Sequence, residues 1–333
     1  MRGLKVIGTV VLLIGGVLGS KAQNMQGPIP NPSPNVLDGV YVQEHVPTKK
    51  VIPYEYLREA DAVWSKRYWR SIDLREKMNL PLYYPLDEFD AEGNWVRNNR
   101  RWSLWTVIRH HLMTGDLTLY SPYSPFDFYV KDGDQFKYPV APAPGKNYET
   151  DSIFRDELVR GNYLGKLGPE QTVALTSLVD GYDSLDVNGD PVYGPRPIEW
   201  YSSKDIIQYR LKEDWFFDKE RSQLDQRILG IAPVIYRLDD QGNVQGFKEL
   251  FWLYFPQCRY VFQNFFTYNT NNDSRWMSYD DLFWKREFTS TIYKQSNVYD
   301  RKIETFRHGI DALLESEKIK DEIFKLEHDV WSF

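Results

Sequence analysis

Lys212 to Pro233 reads KEDWFFDKERSQLDQRILGIAP, and its reading decides how the rest of the chain is understood. Charged residues frame Trp215, Phe216 and Phe217, and an apolar run from Ile228 to Ile231 leads into Pro233. The stretch has no glycine cradle for a phosphate and no His or Cys to bind a metal. Its chemistry is that of packing and docking. The segment from Ser203 to Arg221 is expected to be helical, and three consecutive aromatics on a helix span roughly 200° of its surface. One core face cannot hold all three. At least one of Trp215, Phe216 and Phe217 is therefore expected to lie against another element or another subunit, and the charged flanks resemble the polar rim of an interface. Burial of all three within the fold is the plain alternative.

Downstream, Arg227 to Leu238 and Phe247 to Phe255 are apolar runs around Asp239-Asp240-Gln241-Gly242-Asn243, the pattern of a β-hairpin with a longer turn. Upstream there is a weak echo. Aligning residue n with n+152 from Arg58 to Asp87 matches Arg58/Arg210, Asp73/Asp225, Arg75/Arg227, Pro81/Pro233, Tyr84/Tyr236, Leu86/Leu238 and Asp87/Asp239. Chance would give roughly two such matches from average composition, so an internal repeat is suggested.

Arg58 to Trp69 reads as a helix, with Val63, Trp64 and Tyr68 toward one face. Ile72 to Leu74 and Leu82 to Tyr84 are strand candidates, and Glu92-Gly93-Asn94 is a turn. Trp102 to Met113 reads as a second helix, ended by Gly115 in the place of a left-handed C-terminal residue. Leu117 to Tyr120 suggests a short strand. A Ser278-Tyr279-Asp280-Asp281 start resembles a capping box and opens a helix toward Tyr293. Val298 and Tyr299 suggest a strand, and Ile310 to Trp331 a charged helix with Ile310, Leu313, Leu314, Ile323, Phe324 and Val330 as its apolar positions.

The resulting class is α+β, with two weakly similar halves, each helix, β-hairpin, helix and short strand, joined by Pro/Gly-rich linkers. The division is a signal peptide at 1–22, a Pro-rich extended arm at 23–35, a first half at 36–140, a linker at 141–199, a second half at 200–300 and a C-terminal helix at 301–333. The linker region includes a short helix opening near Pro169. Arg2 and Lys5, the apolar run Val6 to Leu18 and the small residues Ser20 and Ala22 fit a secretory signal cut between Ala22 and Gln23. The residue directly after that cut is Gln23 and not a Cys, which disfavours a lipoprotein. Removing the signal deletes Arg2, Lys5 and Lys21 and no acid, which leaves 38 basic against 47 acidic residues. Such a balance argues against nucleic acid, which demands clustered cations. The single cysteine, Cys258, lies in an aromatic run and is expected to be a buried, inert thiol.

Catalytic and metal readings are weak throughout. His110 and His111 are adjacent on a helix and point about 100° apart, so they do not share an ion easily. The loop from Asp180 to Asp190 holds DVNGD but lacks the bidentate Glu of a calcium loop. Glu213, Asp214, Asp218 and Glu220 alternate with Lys212, Lys219 and Arg221 and read as helix-surface ion pairs rather than a glycosidase pair. No catalytic, cofactor-binding or metal-binding residue is expected. Aromatics make up 16% of the chain, which suits interfaces and cores but also a sugar platform. A periplasmic carbohydrate-binding module or hydrolase is therefore the alternative.

Together with WSKRYWRSIDLREKMNLPLYYP at Trp64 to Pro85, LFWLYFP at Leu250 to Pro256 and DDLFWKREF at Asp280 to Phe288, the opening stretch resembles the GldN/PorN family of gliding-motility and type IX secretion proteins of Bacteroidota. The resemblance implies an exported, non-enzymatic subunit without cofactor. It implies assembly in many copies, with a lipoprotein of the GldK/PorK type, into a ring on the periplasmic side of the outer membrane. The ring would meet the periplasmic part of a motor subunit of the GldM/PorM type. Membrane association would come through these partners alone.

Overall fold

The computed structural model describes residues 50–89, 95–96, 101–124, 133–168, 196–239, 241–270, 272 and 277–330. In chain order the elements are β1 (Ala62–Asp73), α1 (Leu80–Tyr83), β2 (Glu88–Phe89), β3 (Trp95–Val96), α2 (Leu104–Thr114), β4 (Leu119–Tyr120) and β5 (Pro139–Val140). Then come α3 (Ser152–Arg160), β6 (Gly165–Leu167), β7 (Ile198–Trp200), β8 (Gln208–Asp218), β9 (Gln223–Leu238), β10 (Val244–Glu249), β11 (Trp252–Tyr254) and α4 (Phe255–Phe262). The last are β12 (Phe266–Thr267), β13 (Met277–Ser278), α5 (Tyr279–Trp284), β14 (Thr291–Gln295) and α6 (Ile310–Val330). The fold class is α+β. Its centre is an eight-stranded sheet in the order β14-β1-β8-β9-β11-β4-β5, with β10 also paired to β9.

Two segments read from sequence as helices are the central strands of this sheet. β1 replaces the expected helix at Arg58 to Trp69, and β8 replaces the one at Ser203 to Arg221. Both are dense in aromatic residues, and β1 adds Val63 and Ile72, types that suit a pleated, half-buried surface. They pair antiparallel along their whole length, from Ala62 opposite Asp218 to Asp73 opposite Gln208. On its other edge β8 pairs with β9 from Gln208 opposite Val234 to Asp218 opposite Gln223. The turn 219–222 thus closes a β8–β9 hairpin that the sequence reading did not expect. The expected second hairpin exists as β9 and β10, whereas β11 leaves β10 and pairs with β4 and β9.

Helix prediction succeeded where end signals were explicit. Ser103 caps α2 by accepting from the Thr106 amide, and Gly115 ends it with φ of 87°. Ser278 and Asp281 form a full capping box on α5. That helix stops at Trp284, and the chain re-enters the sheet as β14 instead of continuing to Tyr293. Leu82 lies in α1 rather than a strand, and Val298 and Tyr299 form an exposed turn.

The halves do not repeat. The offset of 152 lays β1 on 214–225, which spans the end of β8, the turn and the start of β9. It lays Pro81, in α1, on Pro233, in β9. In the first half a long strand stands where the opening helix was expected, and it pairs directly with β8 of the second half. The signal segment, the Pro-rich arm, Glu92-Gly93-Asn94, the DVNGD loop and the short helix near Pro169 lie outside the described residues.

One face of the sheet is covered by the helices. The main core joins Ile72, Leu211 and Ile231 of the sheet to Leu104, Trp105 and Ile108 of α2, Phe255 and Phe262 of α4 and Phe283 of α5. A second cluster seats α6: Ile319 and Ile323 pack with Tyr68, Ile292 and Ile303, flanked by Trp64, Trp215 and Leu224. The Ser316 hydroxyl accepts from the Ile292 amide at 2.9 Å and ties α6 to β14. The other face holds a smaller cluster of Trp69, Ala232 and Trp252 with Tyr120, Phe136 and Tyr293.

Candidate protein interface

The pleat of β8 sends Trp215 and Phe217 to one face and Phe216 to the other. The premise of a helical triplet is thus corrected: a strand distributes three consecutive aromatics over two faces without help from a subunit. Trp215 stands opposite Lys66 and Gln226, Phe216 opposite Ser65 and Asp225, and Phe217 opposite Trp64 and Leu224. Phe216 is buried, with the Arg227 guanidinium 5.1 Å from its ring centre. Trp215 and Phe217 are partly buried, and Trp215 lies within the seat of α6.

Trp215 belongs to a charged cluster that the sequence did not disclose. Glu213 is fully buried and follows the irregularity between Lys212 and Glu213 in the β8–β9 pairing. Its carboxylate accepts from Arg70 Nε at 3.0 Å, from Arg286 Nη2 at 3.1 Å and from the Trp215 indole at 3.1 Å. Both guanidinium groups also face the Trp215 ring, at 5.5 and 5.6 Å from its centre. Burial pulls the Arg70 pKa down, with Glu213 pulling it back. Sequence reading had placed Glu213 and Lys212 among helix-surface ion pairs. Both are buried: Lys212 donates to the Asp134 carbonyl, and burial lowers its pKa.

Beside this cluster lies a cavity of about 140 Å³, lined among others by Tyr54, Gln226, Asp280, Trp284 and Arg286. Arg259 makes a two-pronged pair with Asp280, at 2.8 and 3.2 Å. Its guanidinium sits 4.5 Å from the Tyr54 ring and 4.9 Å from the Trp284 ring. Tyr54 stacks on Trp284 at 5.7 Å. Arg227 donates to the Glu55 carbonyl, and Arg221 pairs with the Glu55 carboxylate. The chain ahead of β1 is therefore a strap held across the hairpin and α5. Burial raises the Tyr54 pKa to about 12, against the pull of Arg259.

The remaining sequence candidates are placed as follows. His111 bonds Asp116 at 2.7 Å, and His110 packs edge-on against Trp102. Cys258 is buried, and burial raises its thiol pKa. Among the described residues no group of three or more His, Cys, Asp or Glu could hold a metal ion, and no helix is long and apolar enough to cross a membrane. Ala22 and Gln23 fall outside the described residues. The family model described as gliding motility associated protein GldN matches residues 57–332. No curated protein matches the chain.

Proposed function

The chain belongs to the family of the gliding motility associated protein GldN, and on that premise we propose that it is a structural, non-enzymatic subunit of a secretion machine. In this reading it is exported after cleavage between Ala22 and Gln23. Copies of it, with a lipoprotein of the GldK/PorK type, build the periplasmic, outer-membrane-associated ring of the type IX secretion system. The periplasmic part of a GldM/PorM-type motor subunit contacts that ring, which also serves gliding where the cell glides. The observation that carries this reading is the reach of the family match, from 57 to 332, across the sheet, its helices and α6.

The geometry supports a scaffold role in a specific way. The sequence cluster of greatest interest, Glu213 to Phe217, holds its own fold together through paired charges and stacked rings. Trp215, Phe216 and Phe217 serve assembly from beneath: Trp215 by seating α6, Phe216 and Phe217 by stiffening the β8–β9 hairpin.

Isolation of the tagged protein from native outer membranes, followed by electron microscopy, tests the proposal. The expected result is a large ring containing a lipoprotein. A protein that stays monomeric in such extracts, and that gains thermal stability with glycans, would replace this reading with that of a carbohydrate-binding module.

A further inference from the structure

α6 is seated by one narrow stripe, yet it carries apolar side chains on the opposite side. Ser316, Ile319 and Ile323 face the sheet and are buried. Ile310, Leu313, Leu314 and Phe324 are 75, 55, 61 and 68% exposed. At 100° per residue these four fall within one arc on the side away from the seat. The sequence pattern marks them as apolar positions of the helix, and the fold leaves them uncovered. Scattered exposed apolar residues are ordinary, but four on one arc of one helix form an organised face.

The charges on that arc define what can cover it. Glu317 and Asp321 are exposed and lie between Leu314 and Phe324, one turn apart. From Ile310 to Val330 the helix has seven carboxylates, Asp311, Glu315, Glu317, Asp321, Glu322, Glu327 and Asp329, against Lys318, Lys320 and Lys325. Lys320 pairs with Glu317 at 2.7 Å, so Asp321 stands as the less compensated of the two central acids. Along the helix the face therefore reads apolar, acidic, acidic, apolar, with the two apolar ends about 15 Å apart at 1.5 Å per residue.

We propose that the outward face of α6 docks an amphipathic helix of a different protein, whose apolar stripe is interrupted by Lys or Arg opposite Glu317 and Asp321. A second copy of this chain fits poorly. An antiparallel α6–α6 pair would bring Glu317 and Asp321 of each copy together, and like charges so placed repel. A bilayer surface bearing anionic lipids is disfavoured by the same acids, since interfacial helices carry Lys and Arg on their polar side. A helix laid on Leu313, Leu314 and Phe324 with cations between them satisfies both the apolar and the charged requirement. The proposal rests on the assembly reading above and adds the chemistry of one neighbour.

The test uses purified full-length protein and three probes. One is a 21-residue helical peptide with leucines at three- and four-residue spacing and lysines at two central stripe positions. The second is its counterpart with glutamates there, and the third is vesicles of phosphatidylcholine and phosphatidylglycerol. Fluorescence anisotropy is expected to show the lysine peptide binding at least tenfold more tightly than the glutamate peptide. The double change Leu313→Ser with Leu314→Ser should abolish that binding. The pair Glu317→Lys with Asp321→Lys should reverse the preference between peptides. Circular dichroism should show unchanged folding in both variants, because all four side chains point away from the seat. The proposal is overturned if both peptides bind equally, if neither binds, or if the leucine variants bind as the parent does. It is also overturned if vesicles capture the protein through these residues, or if sedimentation shows a dimer that Leu314→Ser dissolves. Ring isolation from membranes is a separate measurement, so peptide failure with an intact ring would remove this interface alone.

Discussion

Glu213→Ala should be among the most damaging single changes in the chain. It removes a fully buried carboxylate shared by Arg70, Arg286 and the Trp215 indole. Two guanidinium groups, both packed against the Trp215 ring, are then left without their shared counter-charge. Breaking a buried ion pair from one side costs about 3–5 kcal/mol, because the remaining charge stays desolvated. The Arg286 side chain keeps 21% of its surface open, so water reaches one of the two cations and the lower end, about 3 kcal/mol, is expected. At about 2.1 cal/mol/K of unfolding entropy per residue, over the stretch 57–332, a loss of about 3 kcal/mol should lower the melting temperature by about 5 °C. Urea unfolding followed by far-UV circular dichroism measures the loss. Glu213→Gln, which keeps the shape and one acceptor, should lose less. Replacing the cluster by apolar groups of similar size, Glu213→Leu with Arg70→Met, should recover part of the loss, since well-packed apolar replacements of buried pairs are often neutral. A loss under about 1 kcal/mol for Glu213→Ala would refute the reasoning, because the carboxylate would then contribute no more than an exposed pair.

Three further outcomes follow from the packing. Burial raises Tyr54 and Tyr68 to about 12, against about 10 when unfolded; their contribution is complete below pH 10 and should disappear as pH rises toward 12. Urea midpoints across that window should fall less steeply for Tyr54→Phe with Tyr68→Phe than for the parent. A Cβ at Gly230 would lie 2.8 Å from the Phe136 ring and 3.2 Å from Trp252. Gly230→Ala should therefore destabilise by about 1–3 kcal/mol, and Phe136→Ala in the same chain should relieve part of it; equal loss in both backgrounds would show that the clash is not the cause. Cys258, buried with a raised thiol pKa, should react with a thiol reagent only at the rate of unfolding, and a fast reaction of the folded protein would contradict its position.

Where the chain announced its own geometry, the sequence was enough. Gly115 closes α2, and Ser278 with Asp281 opens α5, because capping depends on residues a turn apart; the Ser103 cap of α2 was not read, since the expected helix starts at Trp102, ahead of it. The strands β1 and β8 were misread for a physical reason. Residues four apart share a face on a helix and also on a strand, whose period of two places i, i+2 and i+4 together. Trp64 and Tyr68 therefore fit both, and only the intermediate positions could discriminate. In β8 those positions carry Lys212 and Glu213, whose charge suggested a solvated helix surface. Both are buried because each finds its partner far away in the chain. Arg70 reaches Glu213 across 143 residues, and Lys212 reaches the Asp134 carbonyl across 78. No local pattern encodes such pairing; it exists only once the sheet has assembled. The same dependence inverts the reading of α6. Its apolar periodicity was legible, yet periodicity does not say which of two apolar arcs meets the sheet. Ile319 and Ile323 do so because Ser316, on their side of the helix, bonds the Ile292 amide. That hydrogen bond, together with the packing of Ile319 and Ile323 on Tyr68, Ile292 and Ile303, sets the helix rotation and with it the outward aim of Leu313, Leu314 and Phe324.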